Sequence, residues 1–135
     1  MWWLANPIEV EQIRVDAERA RSAGAEIVIV SLHWGVENQQ EITADQRAVA
    51  IELADLGLID VIIGHHAQVV QPIDVVNGVV VVYGIGNFLT NQSVDCCPAG
   101  TQDGMILRVV IDEAAERSAD DDLSLIHISE PTRPY

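Results

Sequence analysis

The segment VIIGHHAQ, residues 61–68, determines the fold prediction because an apolar run ends there in two adjacent histidines. A second run of the same kind, IVIVSLHWG at residues 27–35, has His33 near its end. Continuous apolar runs rich in β-branched residues are typical of strands that are buried on both faces of a parallel sheet. We therefore predict strands at 27–32 and 60–63 that deliver histidines to one edge of a sheet, where metal centres and phosphate sites form.

Helical patterns surround these two predicted strands. NPIE at residues 6–9 combines a capping asparagine with a proline suited to the first helical position, and the helical spacing of apolar residues continues to Gly24. TADQ at residues 43–46 matches a capping box, and the helical pattern after it ends at Gly57. A strand, a helix and a strand in this order predict a right-handed parallel crossover.

The second half of the chain has the pattern of antiparallel strands. Asn77-Gly78 is the strongest short signal for a hairpin, and it separates apolar runs at 73–76 and 79–83. Residues 104–111 predict one further strand. The sequence therefore predicts an α/β (α+β) fold with a mixed sheet.

Composition limits the domain count and the partners. A chain of 135 residues with 49% apolar content has room for a single core. Its net charge of −14 is typical of a solvated surface and compatible with cation binding, and it argues against nucleic acid or an anionic membrane as a partner. We expect neither a signal peptide nor a transmembrane segment, because the start lacks a basic flank and no run approaches the roughly 18 apolar residues of a span.

The composition changes near the end of the chain. A polar stretch at residues 118–122 precedes the segment 123–135, which begins LSLIHISEPTR and resembles the translation of a sequencing-library adapter. We expect a domain over residues 1–117, a polar linker at 118–122 and, at 123–135, an artefact that is no part of the fold.

Two adjacent cysteines, Cys96 and Cys97, precede Pro98. We expect two free thiols in a loop, because a ring closed between neighbouring cysteines is strained. Pairing with a partner outside this chain is the alternative. Two thiols alone do not make a zinc site.

Polar residues near the predicted strand ends are the candidates for chemistry. His33 is followed by Gly35 and Glu37, and a histidine beside glycine reaches an open sheet edge without a steric barrier. Of His65 and His66, only one need be a ligand, and spacing alone does not rank them.

The segment GIGNF at residues 84–88 resembles half of a phosphate loop but lacks the spacing of a dinucleotide site. Its glycines allow close backbone approach, so that Asn87 is able to present its amide to a ligand. A tight turn in which the asparagine bonds to its own loop is the alternative. A serine–histidine–aspartate arrangement stays open, since Ser31 neighbours His33, although the chain has no nucleophile elbow.

Three motifs in order resemble the CapA family of poly-γ-glutamate capsule biosynthesis proteins. They are HWGVE at residues 33–37, DVIIGHHAQVVQP at residues 60–72 and YGIGNF at residues 83–88. The resemblance spans most of residues 7–112; each motif alone is weak, but three in this order and separation are specific. It implies a fold similar to the calcineurin-like metallophosphoesterases, a four-layer αββα sandwich of two mixed sheets between helices.

The resemblance also implies site residues and a cofactor. His33 matches the histidine of the family's HWG motif and His66 the first histidine of its H-x-H element, which implies that both bind metal. Glu37 and Asn87 match acidic and amide positions, so that catalytic roles are implied for both. A substrate contact is also implied for Asn87. For His65, the histidine of the pair that the resemblance does not select as a ligand, we expect a substrate contact, with capping of the loop as the alternative. The implied cofactor is divalent Mn, Fe or Zn, which activates water and clamps a phosphoryl group.

The chain departs from the family pattern in two places. Gln68 stands at a usual ligand position where the family has a second histidine, and glutamine is a poor ligand for a transition metal. The family's N-terminal half, with its aspartate and asparagine-histidine motifs, has no counterpart here. We therefore expect Met1 to be an internal start, the chain to be an inactive C-terminal fragment, and the metal site to be incomplete.

The predicted function is that of a fragment whose intact parent acts in poly-γ-glutamate capsule biosynthesis or export. We expect the parent to be extracytoplasmic and membrane-associated, with capsule-synthesis membrane proteins and the missing N-terminal half of its own domain as partners. One alternative is a metal-dependent phosphoesterase of the calcineurin-like type. Another is a non-catalytic polymer-binding module, which the acidic surface opposes unless cations bridge it to a polyanion. Whether the parent is an enzyme stays open.

Overall fold

The computed structural model describes residues 8–93 and 95–110 of the chain. Helices and strands alternate in the first part of this region, and two further strands follow. In chain order the elements are α1 (Val10–Ser22), β1 (Ile29–Trp34), α2 (Ala44–Asp55), β2 (Val61–His66), β3 (Ile73–Val76) and β4 (Val79–Val82). The predicted α/β class is confirmed, whereas the predicted linker at 118–122 and the tail at 123–135 lie outside the described residues.

The four strands form one mixed sheet in the order β1-β2-β4-β3. β1 pairs with β2 in parallel, β2 pairs with β4 in parallel, and β3 pairs with β4 antiparallel. The predicted parallel crossover through α2 is therefore confirmed, and so is the mixed sheet. Because β1, β2 and β4 run in the same direction, their carboxyl ends meet at one edge.

The hairpin between β3 and β4 forms where the sequence predicts it. Asn77 and Gly78 occupy the turn with φ angles of 49° and 82°, the positive values that a two-residue type I′ turn requires. Val76 and Val79 pair directly on either side. The second strand of the hairpin ends at Val82, one residue before the predicted end.

The two parallel strands with histidines differ from the prediction in their bounds and in the burial of β1. Both end later in the chain than expected, so the histidines are among the last paired residues of each strand. β1 is also not buried on both faces, since Ile29 is 55% exposed. The reason is its position at the edge of the sheet, where the described residues cover chiefly the face that packs on the helices.

Both helices pack on one face of the sheet and enclose the core. The cluster joins small and aliphatic side chains from α1 and α2 to alternate residues of the strands. Its members include Ala17, Leu32, Ala50, Leu53, Ile62, Val79 and Val81. Leu53 of α2 and Ile62 of β2 are fully buried, so both elements contribute to the centre of the core.

The helix starts differ in how well local sequence predicts them. Thr43 caps α2 with the reciprocal hydrogen bonds of a capping box to Gln46, which confirms that prediction. α1 begins later than predicted, at Val10, with Glu9 as a cap that makes no side-chain hydrogen bond. The predicted capping asparagine and the proline after it lie outside the described residues. Gly24 follows the helix with φ of 93°, as a terminating glycine should.

The strand predicted at 104–111 is wrong over the part that the structure describes. Gly104 makes an isolated antiparallel bridge with Gly86, and residues 105–110 form no regular strand. Ile106 is 78% exposed and Val110 59% exposed. An apolar run becomes a strand only where a partner strand is available, and among the described residues this run has none.

The adjacent cysteines form a disulfide with each other, Cys96–Cys97. Both of their backbone N–H groups donate to the carbonyl oxygen of Ser93, at 3.2 and 3.0 Å. This folds the pair into a tight turn, which brings the two side chains together. The prediction of two free thiols is therefore wrong, and the structure contains no free cysteine in the region it describes.

Candidate functional site

The carboxyl ends of β1, β2 and β4 open into one cavity of about 430 Å³. The three segments that leave these strands supply its walls. All six residues that the sequence analysis assigned to a site line it, namely His33, Glu37, His65, His66, Gln68 and Asn87. The parallel arrangement of the strands thus gathers residues that are far apart in the sequence.

His33 and His66 are the two imidazoles that the fold brings close together. The strand register pairs His33 with His65, and it pairs Trp34 with His66, so a regular strand would direct His66 to the opposite face. His66 instead has φ of 90°, in the left-handed region that residues other than glycine rarely adopt. Its ring centroid lies 4.5 Å from that of His33, with an interplanar angle of 47°.

Left-handed backbone is concentrated in and beside the cavity wall. Of the four non-glycine residues with positive φ in the described region, three are Asn38 (64°), His66 (90°) and Gln68 (59°); the fourth belongs to the hairpin. The backbone N–H of Asn38 donates to the carbonyl oxygen of Ala67 at 2.7 Å, which ties the loop after β1 to the loop after β2. Such conformations cost free energy and are found most often at functional sites.

Asn87 has one side-chain atom committed to structure and one left for the cavity. Its Nδ2 donates to the carbonyl oxygens of Gln68 and Thr101, each at 3.1 Å. Because both partners are acceptors, the amide nitrogen must be the atom that faces them. The amide oxygen Oδ1 receives no hydrogen bond from the described residues, so it is able to accept one from a ligand or to coordinate a cation.

Gln68 lines the same cavity as the histidines and Asn87. Its Oε1 accepts a long hydrogen bond of 3.4 Å from Nε2 of Gln92. The half-buried side chain therefore has a partner within the fold. A neutral amide oxygen at this position is a weaker donor to a transition metal than an imidazole nitrogen.

The described side chains fit part of a metal-binding shell and not a complete one. Catalytic zinc sites use three protein ligands and structural ones use four. Within residues 8–93 and 95–110, no group of three or more His, Cys, Asp or Glu side chains is close enough to hold an ion. His33 and His66 supply two imidazoles, and Glu37 lines the same cavity without joining them in such a group.

Two buried glutamines beside the cavity were not predicted from the sequence. Gln46 and Gln71 are each 2% exposed, and Nε2 of Gln46 donates to Oε1 of Gln71 at 2.9 Å. Glutamine is usually a surface residue, so a buried pair is unexpected. One signal was present: Gln46 lies four and seven residues before Ala50 and Leu53, on the buried face of α2.

The fold and the site together define the class: an α/β protein with a histidine-lined cavity at the carboxyl edge of its sheet. The model of the bacterial capsule synthesis protein family PGA_cap matches residues 3–92, and the chain belongs to this family. It is similar to the PGA biosynthesis protein CapA of Bacillus subtilis (strain 168), with 44% identity over 68 residues. It is also similar to the capsule biosynthesis protein CapA of Bacillus anthracis, with 36% identity over 76 residues.

These alignments cover a limited part of each relative. They include 50% and 56% of this chain but 18% of each relative. No solved structure matches the chain. Neither of the two helices that the structure describes is long and apolar enough to cross a membrane.

Proposed function

We propose that this chain supplies the His33–His66 side of a divalent-metal site in a protein that acts in poly-γ-glutamate capsule biosynthesis. The observation that carries the proposal is the approach of the two imidazoles to 4.5 Å in a shared cavity. Family membership and the names of the two CapA relatives support the capsule role. The remaining ligands come from a part of the family domain that lies outside the aligned 18% of the relatives.

Each of the six candidate site residues has a role in this proposal. His33 and His66 bind Mn, Fe or Zn, and Gln68 stands beside them as a weak ligand or as a spectator. Glu37 supplies a carboxylate, and Asn87 supplies its free amide oxygen to substrate. His65 contacts substrate at the same edge. The bound ion would supply positive charge that stabilises negative charge on a substrate oxygen.

The charge of the chain limits how the polymer is bound. A net charge of −14 repels a polyanion such as poly-γ-glutamate. Cations between the two would relieve this repulsion, and the proposed metal site would provide one. We further propose that the whole protein is extracytoplasmic and membrane-associated and works with capsule-synthesis membrane proteins, as a role in polymer export requires.

The metal proposal is tested by titrating the purified chain with Zn²⁺ in a calorimeter and following the imidazole resonances by NMR. We expect one weakly bound ion, whose affinity falls by at least about tenfold in His33→Ala and in His66→Ala. His127→Ala is the matched control, because it removes a histidine from the tail that is predicted to lie outside the fold, and it should leave the affinity unchanged.

Two results would contradict the proposal. Tight binding of two ions would show that this chain alone completes the centre. Equal Zn²⁺ affinity in the wild type and in His66→Ala would show that the imidazole pair is not the site.

A further inference from the structure

We propose that Gln46 and Gln71 are positioning residues of the cavity, whose buried amides hold the three strand-end segments that form its wall. The inference rests on the proposed function, since it assigns a role toward the same histidine pair. Neither glutamine lines the cavity. They act through the backbone of the segments that do.

The two side chains form a directed chain of hydrogen bonds, here called the amide chain. The backbone N–H of Thr43 donates to Oε1 of Gln46 at 2.9 Å. Nε2 of Gln46 donates to Oε1 of Gln71 at 2.9 Å, and Nε2 of Gln71 donates to the carbonyl oxygen of Gln39 at 2.9 Å. Each amide uses its oxygen on one side and its nitrogen on the other, so neither can rotate by 180° without opposing like atoms.

The amide chain also packs directly on the backbone of the cavity segments. A Cβ placed on Gly35 would lie 2.9 Å from Nε2 of Gln46, and one placed on Gly84 would lie 3.0 Å from Oε1 of Gln71. The backbone N–H of Gln71 donates to the carbonyl oxygen of Gly84 at 3.0 Å. Gly35 follows His33 by two residues, and Gly84 lines the cavity itself.

The amide chain thus joins all three walls of the cavity. Gln39 lies in the loop after β1, Gln71 in the segment after β2, and Gly84 in the segment after β4. Apolar side chains of similar volume would fill the same space without fixing these segments relative to one another. A fully satisfied buried polar network specifies one arrangement, because any shift leaves a donor or acceptor unpaired in a low-dielectric environment.

Gln71 is the better residue to replace, because it takes part in the amide chain but not in the capping of a helix. Gln46 belongs to the capping box of α2, so its replacement would affect the helix as well as the cavity. Gln71 caps no helix, and its side chain bonds only to Gln46 and to the carbonyl oxygens of Gln39 and Glu41 among the described residues. A change at Gln71 therefore reports on the amide chain alone.

The test compares Gln71→Met with the wild-type chain, both free of metal. Methionine has a similar length and volume, but its thioether donates no hydrogen bond and accepts one only weakly. We expect a folded variant, with unchanged far-ultraviolet circular dichroism and cooperative unfolding, in which the NOE between the His33 and His66 rings is weakened and their imidazole shifts move. Gln12→Met, at an exposed position on α1, is the matched control and should change neither readout.

A folded Gln71→Met that keeps the wild-type NOE and imidazole shifts would overturn the proposal. If this variant does not fold, a hydrogen-exchange measurement on the wild-type chain tests the proposal instead. The side-chain NH₂ protons of Gln46 and Gln71 should exchange with solvent much more slowly than those of Gln12, and equal exchange rates would overturn the proposal.

The metal proposal fails separately. If the wild type binds no Zn²⁺ while Gln71→Met still displaces the imidazoles, the amide chain positions the histidines and the metal assignment is wrong. If the wild type binds Zn²⁺, its affinity should fall about tenfold in Gln71→Met, the size of loss typical of residues that orient ligands.

Discussion

Tyr83 lies directly after β4. Its backbone and its ring make contacts within the fold, whereas its hydroxyl has no hydrogen-bond partner among the described residues. The side chain is 0% exposed and stacks on Trp34, with ring centroids 5.6 Å apart and an interplanar angle of 17°. Its carbonyl oxygen accepts a hydrogen bond of 2.9 Å from the indole nitrogen of Trp34. The hydroxyl is buried and has no hydrogen-bond partner among the described residues. The ring therefore stabilises the fold while the hydroxyl opposes it.

Tyr83→Phe is expected to stabilise the chain by about 1 kcal/mol, because it removes a buried polar group that pays a desolvation cost without a hydrogen bond. Burial raises the pKa of the Tyr83 hydroxyl above its ordinary value of 10.0, and nearby Asp74 adds to this while Arg47 opposes it. Well below pH 10 the hydroxyl is protonated in both states, so it adds no pH dependence there. Above pH 10 the unfolded chain loses the proton first, and wild-type stability falls as the pH rises.

Urea unfolding at neutral pH and above pH 10 measures both effects. The phenylalanine variant should be more stable at neutral pH, and the difference should widen in alkali. A variant less stable than the wild type at neutral pH would mean that the hydroxyl has a partner that stabilises the folded chain.

The sequence predicts the position of the candidate site residues, but residue spacing alone does not rank the histidines. His33, His66 and Gln68 could be placed at one sheet edge because parallel strands end together. Their side-chain directions depend on the positive φ angles of His66 and Gln68, which no local pattern indicates. Ala67, which lies between these two residues, accepts a hydrogen bond from the Asn38 N–H in the loop after β1. Tertiary contacts, and not spacing, therefore decide which imidazoles meet.

Thr43 caps the start of α2 and contributes to the stability of this helix. The Thr43 hydroxyl accepts a hydrogen bond of 3.1 Å from the Gln46 backbone N–H, one of the helix's unpaired donors. Thr43→Ala should therefore lower the free energy of unfolding by about 1 kcal/mol. Thr43→Ser keeps the hydroxyl and should retain most of that stability. Thermal and urea unfolding of both variants provide the measurement, and equal losses for alanine and serine would contradict a capping role.

Elements whose signals are local were predicted well. The capping box at Thr43 and the Asn77-Gly78 turn depend on neighbouring residues only, and both form as expected. The start of β1 was placed two residues too early, because a strand exists only where its partner pairs. The register runs from Ile29 opposite Val61, and the N–H of Val28 instead donates to the Asp60 carboxylate at 2.7 Å.

The described part of the molecule has large apolar side chains on its surface. β1 is an edge strand of the described sheet, with Ile27 and Ile29 43% and 55% exposed. Phe88 and Leu89, next to the cavity, are 81% and 89% exposed. An exposed edge strand with apolar side chains favours pairing with another chain. The apolar content of the sequence does not reveal this exposure, because a chain that buries all of these side chains has the same composition.

We expect the chain to associate in a concentration-dependent manner, through an interface that includes the β1 edge. Ile29→Lys should shift the equilibrium toward monomer, because a charge on an edge strand opposes strand pairing. Ile51→Lys is the matched control, since Ile51 is 42% exposed on α2, away from that edge. Sedimentation velocity at several concentrations measures the distribution.

Salt separates apolar association from charge-driven association. Two copies that each carry a net charge of −14 repel one another, and added salt screens that repulsion. Association through apolar surface should therefore increase with ionic strength in the wild type and in Ile51→Lys. Because Ile29→Lys acts at the contact itself, it should remain the more monomeric variant at high salt. A wild type that is monomeric at every concentration and salt level would show that the exposed apolar side chains do not form an interface between copies.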